Sequence, residues 1–436
     1  MSKKPTLAII STYDELCGIA SYTNRLVDQL SPYYEVTVFD LDQRTFRGTS
    51  KSAKLSAEKK MKTICSSLGN FDVVNIQLEH STIAKNPKLI LNRLSRFIDE
   101  SPKVSITFHT VFNLELFDGL WVIFKRGNIK ELIRKYTSNK RNYSLLRGVD
   151  ALVLKNQKIK PLSVIVHTKR DAMYLKSRGY KYVFDHPLSY YSKKEAEELR
   201  ESVSISEFPL LLDNINQGDV LIGVFGFIAN YKGIGIALKA LKLLPTNFHL
   251  AIFGGLHPNS ITNTSLNPEL ASIINEILPE NNVEINKARE SNISISLKES
   301  TLMESHRYEN NIFGRVHFLG NLTEKDFARG MVICNVVLLP YFEVGQSSSG
   351  PLSIATDLGA KIIASRTQAF IEFDKYNPKR INMFDIGNFI HLSQLIKVYT
   401  TESVETTFEE AKFTSDTNIS TYKKAFFYDS NDFTAK

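Results

Sequence analysis

An α/β protein of two doubly wound domains is predicted by three features of the sequence. Short apolar runs alternate with stretches of helical periodicity through the first half. The alternation breaks over 189–218 and then restarts. The 436 residues are too many for one ordinary domain and enough for two or three. Strands that read as apolar runs between helices are covered on both faces, and that is the pattern of a parallel sheet.

Thr6–Ser11 is the first expected strand. Gly18-Ile19-Ala20-Ser21 follows it and leads into a helix over Tyr22–Leu30. Further strands are expected at Glu35–Leu41, Phe71–Gln77, Val104–Phe108, Ala151–Leu154 and Ser163–Val166. Helices fall between them, notably Ser56–Ser67 and Lys88–Glu100. Together they make a first domain over 1–190. Residues 191–218 read as a linker with a short helix, because Lys193–Glu201 is charged and the rest is irregular. A second domain over 219–410 opens with the strand Val220–Phe225 and the helix Gly233–Leu244. His249–Phe253, Val316–Phe318, Val336–Pro340 and Lys361–Ala364 are its other expected strands. Residues 256–314 are long for a connection and are expected to be an insertion, with an amphipathic piece at Leu270–Ile277. The last segment, 411–436, is expected to pack back on the first domain.

Composition narrows the class. With 43% hydrophobic and 23% charged residues, each half can bury a core. The net charge of +8 is moderate for this length and does not imply nucleic acid. Cys17, Cys65 and Cys334 are odd in number and far apart, so neither a disulfide framework nor a metal-ligand set is expected. Leu7–Ile10 is too short for the apolar core of a signal peptide. No run approaches the ~18 apolar residues of a membrane span. The expectation is a cytoplasmic protein, with any membrane contact peripheral, on the inner face of the cell membrane.

Ligands of open parallel sheets bind beyond the carboxyl ends of the strands. Gly18 stands there, between the first strand and its helix, where backbone can approach an anion or simply turn tightly. His109 ends the strand Val104–Phe108, as a donor to a sugar hydroxyl or as a structural histidine. Gly226–Gly233 puts Lys232 beside a helix start, a placement that suits phosphate or merely solvates a loop. The most specific local text is Tyr341–Leu352, whose Gln346, Ser347, Ser348, Ser349 and Gly350 precede a helix expected at Ser353–Leu358. Hydroxyls and successive N–H groups at a helix start make an anion nest, or a plain serine cap. Residues 121–147 interleave Trp121, Phe124, Ile129 and Ile133 with Lys125, Arg126, Lys130 and Arg134. This reads as a basic amphipathic helix, either for an anionic membrane surface or with an ordinary core stripe.

In this order, the pieces resemble the retaining glycosyltransferases of family 4, also called group 1, which have the GT-B fold. The matching text is Cys-Gly-Ile-Ala-Ser-Tyr-Thr at 17–23, Ile-Thr-Phe-His-Thr-Val at 106–111 and Val-His-Thr-Lys-Arg-Asp at 166–171. In the second half it is Gly226–Gly233, Phe253-Gly254-Gly255, Val316–Gly320 and Leu338–Ser365. The resemblance implies two Rossmann-like doubly wound domains facing each other across a cleft. It implies a retaining hexosyltransferase that moves a sugar from a UDP- or GDP-sugar to a glycan or lipid-linked acceptor, in bacterial cell-surface polysaccharide or glycoconjugate synthesis. No metal or other cofactor is called for. His109 would lie near the transferred sugar, and Gly18, Gly226, Lys232, Gly254 and Gln346–Gly350 would hold the donor.

The sequence departs from the family at three positions. Phe227 stands where the family has an arginine, and Gln346 and Ile354 stand at its two glutamate positions. Glu343 is the nearby carboxylate that would take over one donor contact. The departures keep a second expectation open, a non-catalytic GT-B protein that binds a glycan or a partner transferase.

Overall fold

The computed structural model describes residues 3–112, 116–256, 268–277, 283–287, 293–297, 312–401 and 412–428. The chain divides into two compact units. The first is Met1–Tyr190 with Gly345–Ser348 and Ser415–Lys436, and the second is Tyr191–Val344 with Ser349–Thr414.

The first unit is built on six parallel strands. They are β1 (Thr6–Ser11), β2 (Glu35–Asp40), β3 (Val73–Leu78), β4 (Val104–Phe108), β5 (Leu162–Val166) and β6 (Val183–Asp185). Their order is β2-β1-β3-β4-β5-β6. Every residue of β3, β4 and β5 is buried, as sheet centres covered by helices require. Edge strand β2 instead shows half-buried and exposed positions.

Two local expectations are corrected here. Ala151–Leu154 is not a strand but part of the helix Ile129–Asn156. Leu145, Val149 and Val153 are its buried apolar positions, four residues apart on one helical face. A four-residue apolar run carries too little periodicity to tell the two apart. The sixth strand is β6, only three residues long. The second correction concerns the basic segment, which forms two helices, Leu120–Lys125 and Ile129–Asn156. Gly127 breaks it with φ +69°, and Asn128 caps the second helix by accepting from Glu131 N–H.

The helix Ser415–Phe426 lies in the first unit, against β4, β5 and β6. The Tyr422 hydroxyl is 3.1 Å from that of Tyr22 and 3.2 Å from Thr107 Oγ1. Asn418 Nδ2 donates to Gln29 Oε1 at 2.8 Å.

The second unit repeats the plan. Its sheet holds β7 (Val220–Phe225), β8 (Phe248–Phe253), β11 (Val316–Phe318), β12 (Val336–Leu339), β13 (Ile362–Ser365) and β14 (Ile381–Phe384). All pairs are parallel, in the order β11-β8-β7-β12-β13-β14. Phe225 and Phe253 stack 4.5 Å apart in its core. Strand β14 was not expected, because Ile-Asn-Met-Phe is only four residues long and is interrupted by Asn382. Within the expected insertion, Pro268–Ile277 is helical, and β9 (Val283–Lys287) pairs antiparallel with β10 (Ile293–Leu297). The rest of 257–311 lies outside the described residues. The linker's helix, Lys193–Ser202, starts on a capping box of Ser192 and Glu195. It belongs to the second unit, where Arg200 donates to Leu358 O at 3.1 Å.

Candidate functional site

In the second sheet, β8 and β12 flank β7 on opposite sides, so the strand order reverses at β7 and β12. Reversals of this kind open the crevice in which such sheets bind ligands. The loops that leave β7 and β12 meet above this point. Lys232, from the first loop, donates through Nζ to the Tyr341 hydroxyl of the second. Its ammonium lies 4.0 Å from the centre of the Tyr341 ring and 5.1 Å from that of Tyr231. The backbones interlock as well, with Phe342 N–H donating to Tyr231 O at 2.7 Å. Gly233 makes this closeness possible. Its φ is +64°, and a Cβ there would fall 1.9 Å from Pro340 O.

Lys232 is 5% exposed, and among the described residues no carboxylate pairs with it. Burial pushes its ammonium down from 10.5 to about 7. Tyr341 stays neutral, because burial raises its hydroxyl well above the ordinary value. The site therefore holds a buried amine, its charged form disfavoured by burial, hydrogen-bonded to the neutral Tyr341 hydroxyl. Gly226 leaves room for the ammonium, since a Cβ there would stand 2.9 Å from Nζ. Gly254, after β8, packs its backbone on Gly226, where a Cβ would fall 2.0 Å from Gly226 O.

The serine loop splits between the units. Ser349 caps the helix Gly350–Asp357 in the second. In that first turn Pro351 has no N–H, Leu352 N–H goes to Ser349 Oγ at 3.5 Å and Ser353 N–H to Ser349 O at 3.1 Å. Gly350 supplies the remaining amide. Gln346, Ser347 and Ser348 group with the first unit, where Val111 N–H donates to Ser347 Oγ at 3.1 Å. Glu343 is exposed, and its Oε2 accepts from Gln368 N–H at 2.7 Å, at the start of the helix Gln368–Asp374. Ile354 is buried and Phe227 half-buried.

In the first unit the order reverses at β1 and β3. Gly18 opens the helix after β1, and no atom lies within 4 Å of where its Cβ would be. His109 follows β4, next to β3. Its Nε2 lies 2.8 Å from Gln77 Oε1. Gln77 Nε2 donates to Asn75 Oδ1 at 2.5 Å, which orients the amide and assigns the proton of His109 to Nε2. Burial first, then the neighbouring His167, holds His109 well below the ordinary histidine range. Tyr22 packs edge-on at 5.5 Å and His167 lies at 5.2 Å. His109 is thus a fixed neutral imidazole at neutral pH. Its ring-proton NMR shifts are expected to stay flat from pH 8 down to about 5.5. A midpoint near the ordinary histidine value would contradict this.

Four of these neighbours were not singled out from sequence. Asn75 and Gln77 left a usable signal, two amides inside the apolar run Val-Val-Asn-Ile-Gln-Leu. Tyr22 and Tyr341 left none, because a tyrosine beside a glycine-rich loop is ordinary core text.

No protein-family model matches the chain, and no curated protein does. Solved structures match over nearly the whole length. One is a UDP-forming α,α-trehalose-phosphate synthase from Burkholderia xenovorans, at TM-score 0.58 and 10% identity, covering 97% of this chain and 98% of that one. A glycosyltransferase from Rickettsia africae has TM-score 0.54 and 12% identity, covering 98% and 95%. HepE of Anabaena in complex with UDP has TM-score 0.52 and 12% identity, covering 97% and 95%. The fold is GT-B. Identities this low show the fold and leave the chemistry to the residues. In this GT-B chain those residues are Lys232 and Tyr341 at the reversal of the second sheet, and His109 with Gln77 in the first.

Proposed function

We propose that this GT-B protein is a glycosyltransferase whose second unit holds the diphosphate of a nucleotide sugar at Lys232. The observation that carries the reading is Lys232 itself, a buried ammonium with no carboxylate partner among the described residues, at the reversal of a parallel sheet. Such a group costs free energy in the free protein, and a diphosphate relieves that cost. HepE of Anabaena, one of the structures of similar fold, is in complex with UDP, and a uridine donor is the first choice here. The reaction proposed is retaining hexosyl transfer to a glycan or lipid-linked acceptor bound by the first unit, in assembly of a cell-surface polysaccharide. As the sugar–phosphate bond breaks, charge grows on the leaving diphosphate. Lys232 and the Gly350 amide are assigned to meet that charge, so no metal is called for. The acceptor hydroxyl forms the new glycosidic bond and passes its proton to the departing diphosphate.

A second reading is a GT-B protein that binds without catalysing. Phe227 and Ile354 favour it, because neither side chain can hold phosphate or ribose as an arginine or glutamate would. One experiment separates the two. The protein is incubated with a panel of UDP- and GDP-sugars, and nucleoside diphosphate release is measured alongside UDP titration. Release from one donor supports transfer. UDP binding with no release from any donor, slow hydrolysis included, supports the second reading, and no binding removes the first.

A further inference from the structure

We infer that the helical hairpin at 117–136 docks the protein on an anionic lipid bilayer. The inference goes beyond the glycosyltransferase reading and does not rest on it. The helix Leu120–Lys125 reads Leu-Trp-Val-Ile-Phe-Lys, yet none of its residues is buried. A stretch this apolar ordinarily pays for its folding by entering a core. Instead Phe117, Trp121, Phe124, Ile129 and Ile133 are 61–70% exposed. Trp121 and Phe124 stack 5.7 Å apart, and Phe117 stacks on Tyr136 at 6.4 Å, so the aromatic groups of the two arms form one surface.

The hairpin is pinned by a side chain from further along its second helix. Asn139, buried, donates through Nδ2 to Asp118 O at 2.9 Å and to Leu116 O at 3.3 Å. Gly127 and the Asn128 cap set the turn between the arms. The apolar side chains are therefore presented by a built element.

Charge decides the occupant. Residues 117–147 carry eight Lys and Arg against Asp118 and Glu131, a net +6 of the chain's +8. Lys125, Arg126, Lys130 and Arg134 are all exposed around the apolar residues. Lys125 Nζ lies 5.4 Å from the Trp121 ring. An apolar patch ringed by cations of one sign complements a surface that is apolar inside and anionic at its face. Acidic headgroups supply that face. No described helix is long and apolar enough to cross a membrane, so the attachment is peripheral.

Trp121 is the chain's only tryptophan, so its emission reports on this surface alone. The test titrates the protein with vesicles of phosphatidylcholine, with and without phosphatidylglycerol, at low and high salt. A blue shift on the anionic vesicles, reversed by salt and quenched by brominated acyl chains, is expected. Lys130→Glu with Arg134→Glu is expected to weaken partitioning roughly tenfold with unchanged circular dichroism. Phe124→Ser with Ile129→Ser is expected to abolish the shift. No shift on anionic vesicles at low salt overturns the inference, and so does an equal shift on neutral ones. A shift that grows with protein concentration without lipid, with a doubled sedimenting mass, makes a second copy the occupant instead.

Discussion

Replacing Lys232 by Met is expected to stabilise the protein at pH 7 and to remove its affinity for nucleoside diphosphate. Free lysine titrates near 10.5, and burial brings Lys232 to about 7 in the folded chain. Between those values the unfolded chain binds more protons than the folded one, so stability rises with pH across that window. Below about pH 7 both states are charged, and the full cost of burying the ammonium is felt. A shift of this size corresponds to as much as ~5 kcal/mol. Met keeps the volume and removes the charge, but it also removes the donor to Tyr341. The net gain is expected to be about 1–3 kcal/mol near neutral pH, vanishing toward pH 10. Urea unfolding at a series of pH values measures it. Isothermal titration with UDP is expected to show at least roughly tenfold weaker binding for the variant. In the parent protein the same titration above pH 7 should show proton uptake, because the diphosphate restores the charge on Lys232. A variant that is no more stable and still binds UDP would sink the assignment of Lys232.

The largest loss of stability is expected from Tyr422→Ala. Tyr422 is fully buried on the helix Ser415–Phe426, and its hydroxyl joins Tyr22 to Thr107. Removing a buried aromatic ring costs about 3–5 kcal/mol, and two buried hydroxyls lose a partner besides. Tyr422→Phe keeps the ring and is expected to cost only about 1 kcal/mol. Urea midpoints of the two variants separate packing from hydrogen bonding. An Ala variant within the range of the Phe variant would mean that the helix contributes little. Thr107 Oγ1 also accepts from Asn75 at 3.2 Å and from Gln77 at 3.4 Å, and Gln77 orients His109. The C-terminal helix thus stands two hydrogen bonds from the amide that sets the His109 tautomer.

How legible each part was follows from the distance over which it is encoded. Apolar runs marked β1, β4, β7 and β8 because burial on both faces leaves its trace within five or six residues. Ala151–Leu154 misled for the same reason, since four apolar residues fit a strand as well as the last turn of a long helix. Three-residue β6 and four-residue β14, interrupted by Asn382, left too little pattern to read.

By itself, then, the sequence determined the α/β class, the two-part plan and the strand ends at which Gly18, His109 and Lys232 stand. Tertiary structure alone decided what those residues are chemically. Lys232 and Tyr341 meet across 109 residues, and Tyr422 and Thr107 across 315. A residue's charge state depends on the groups packed around it, and no local pattern records which distant groups those will be.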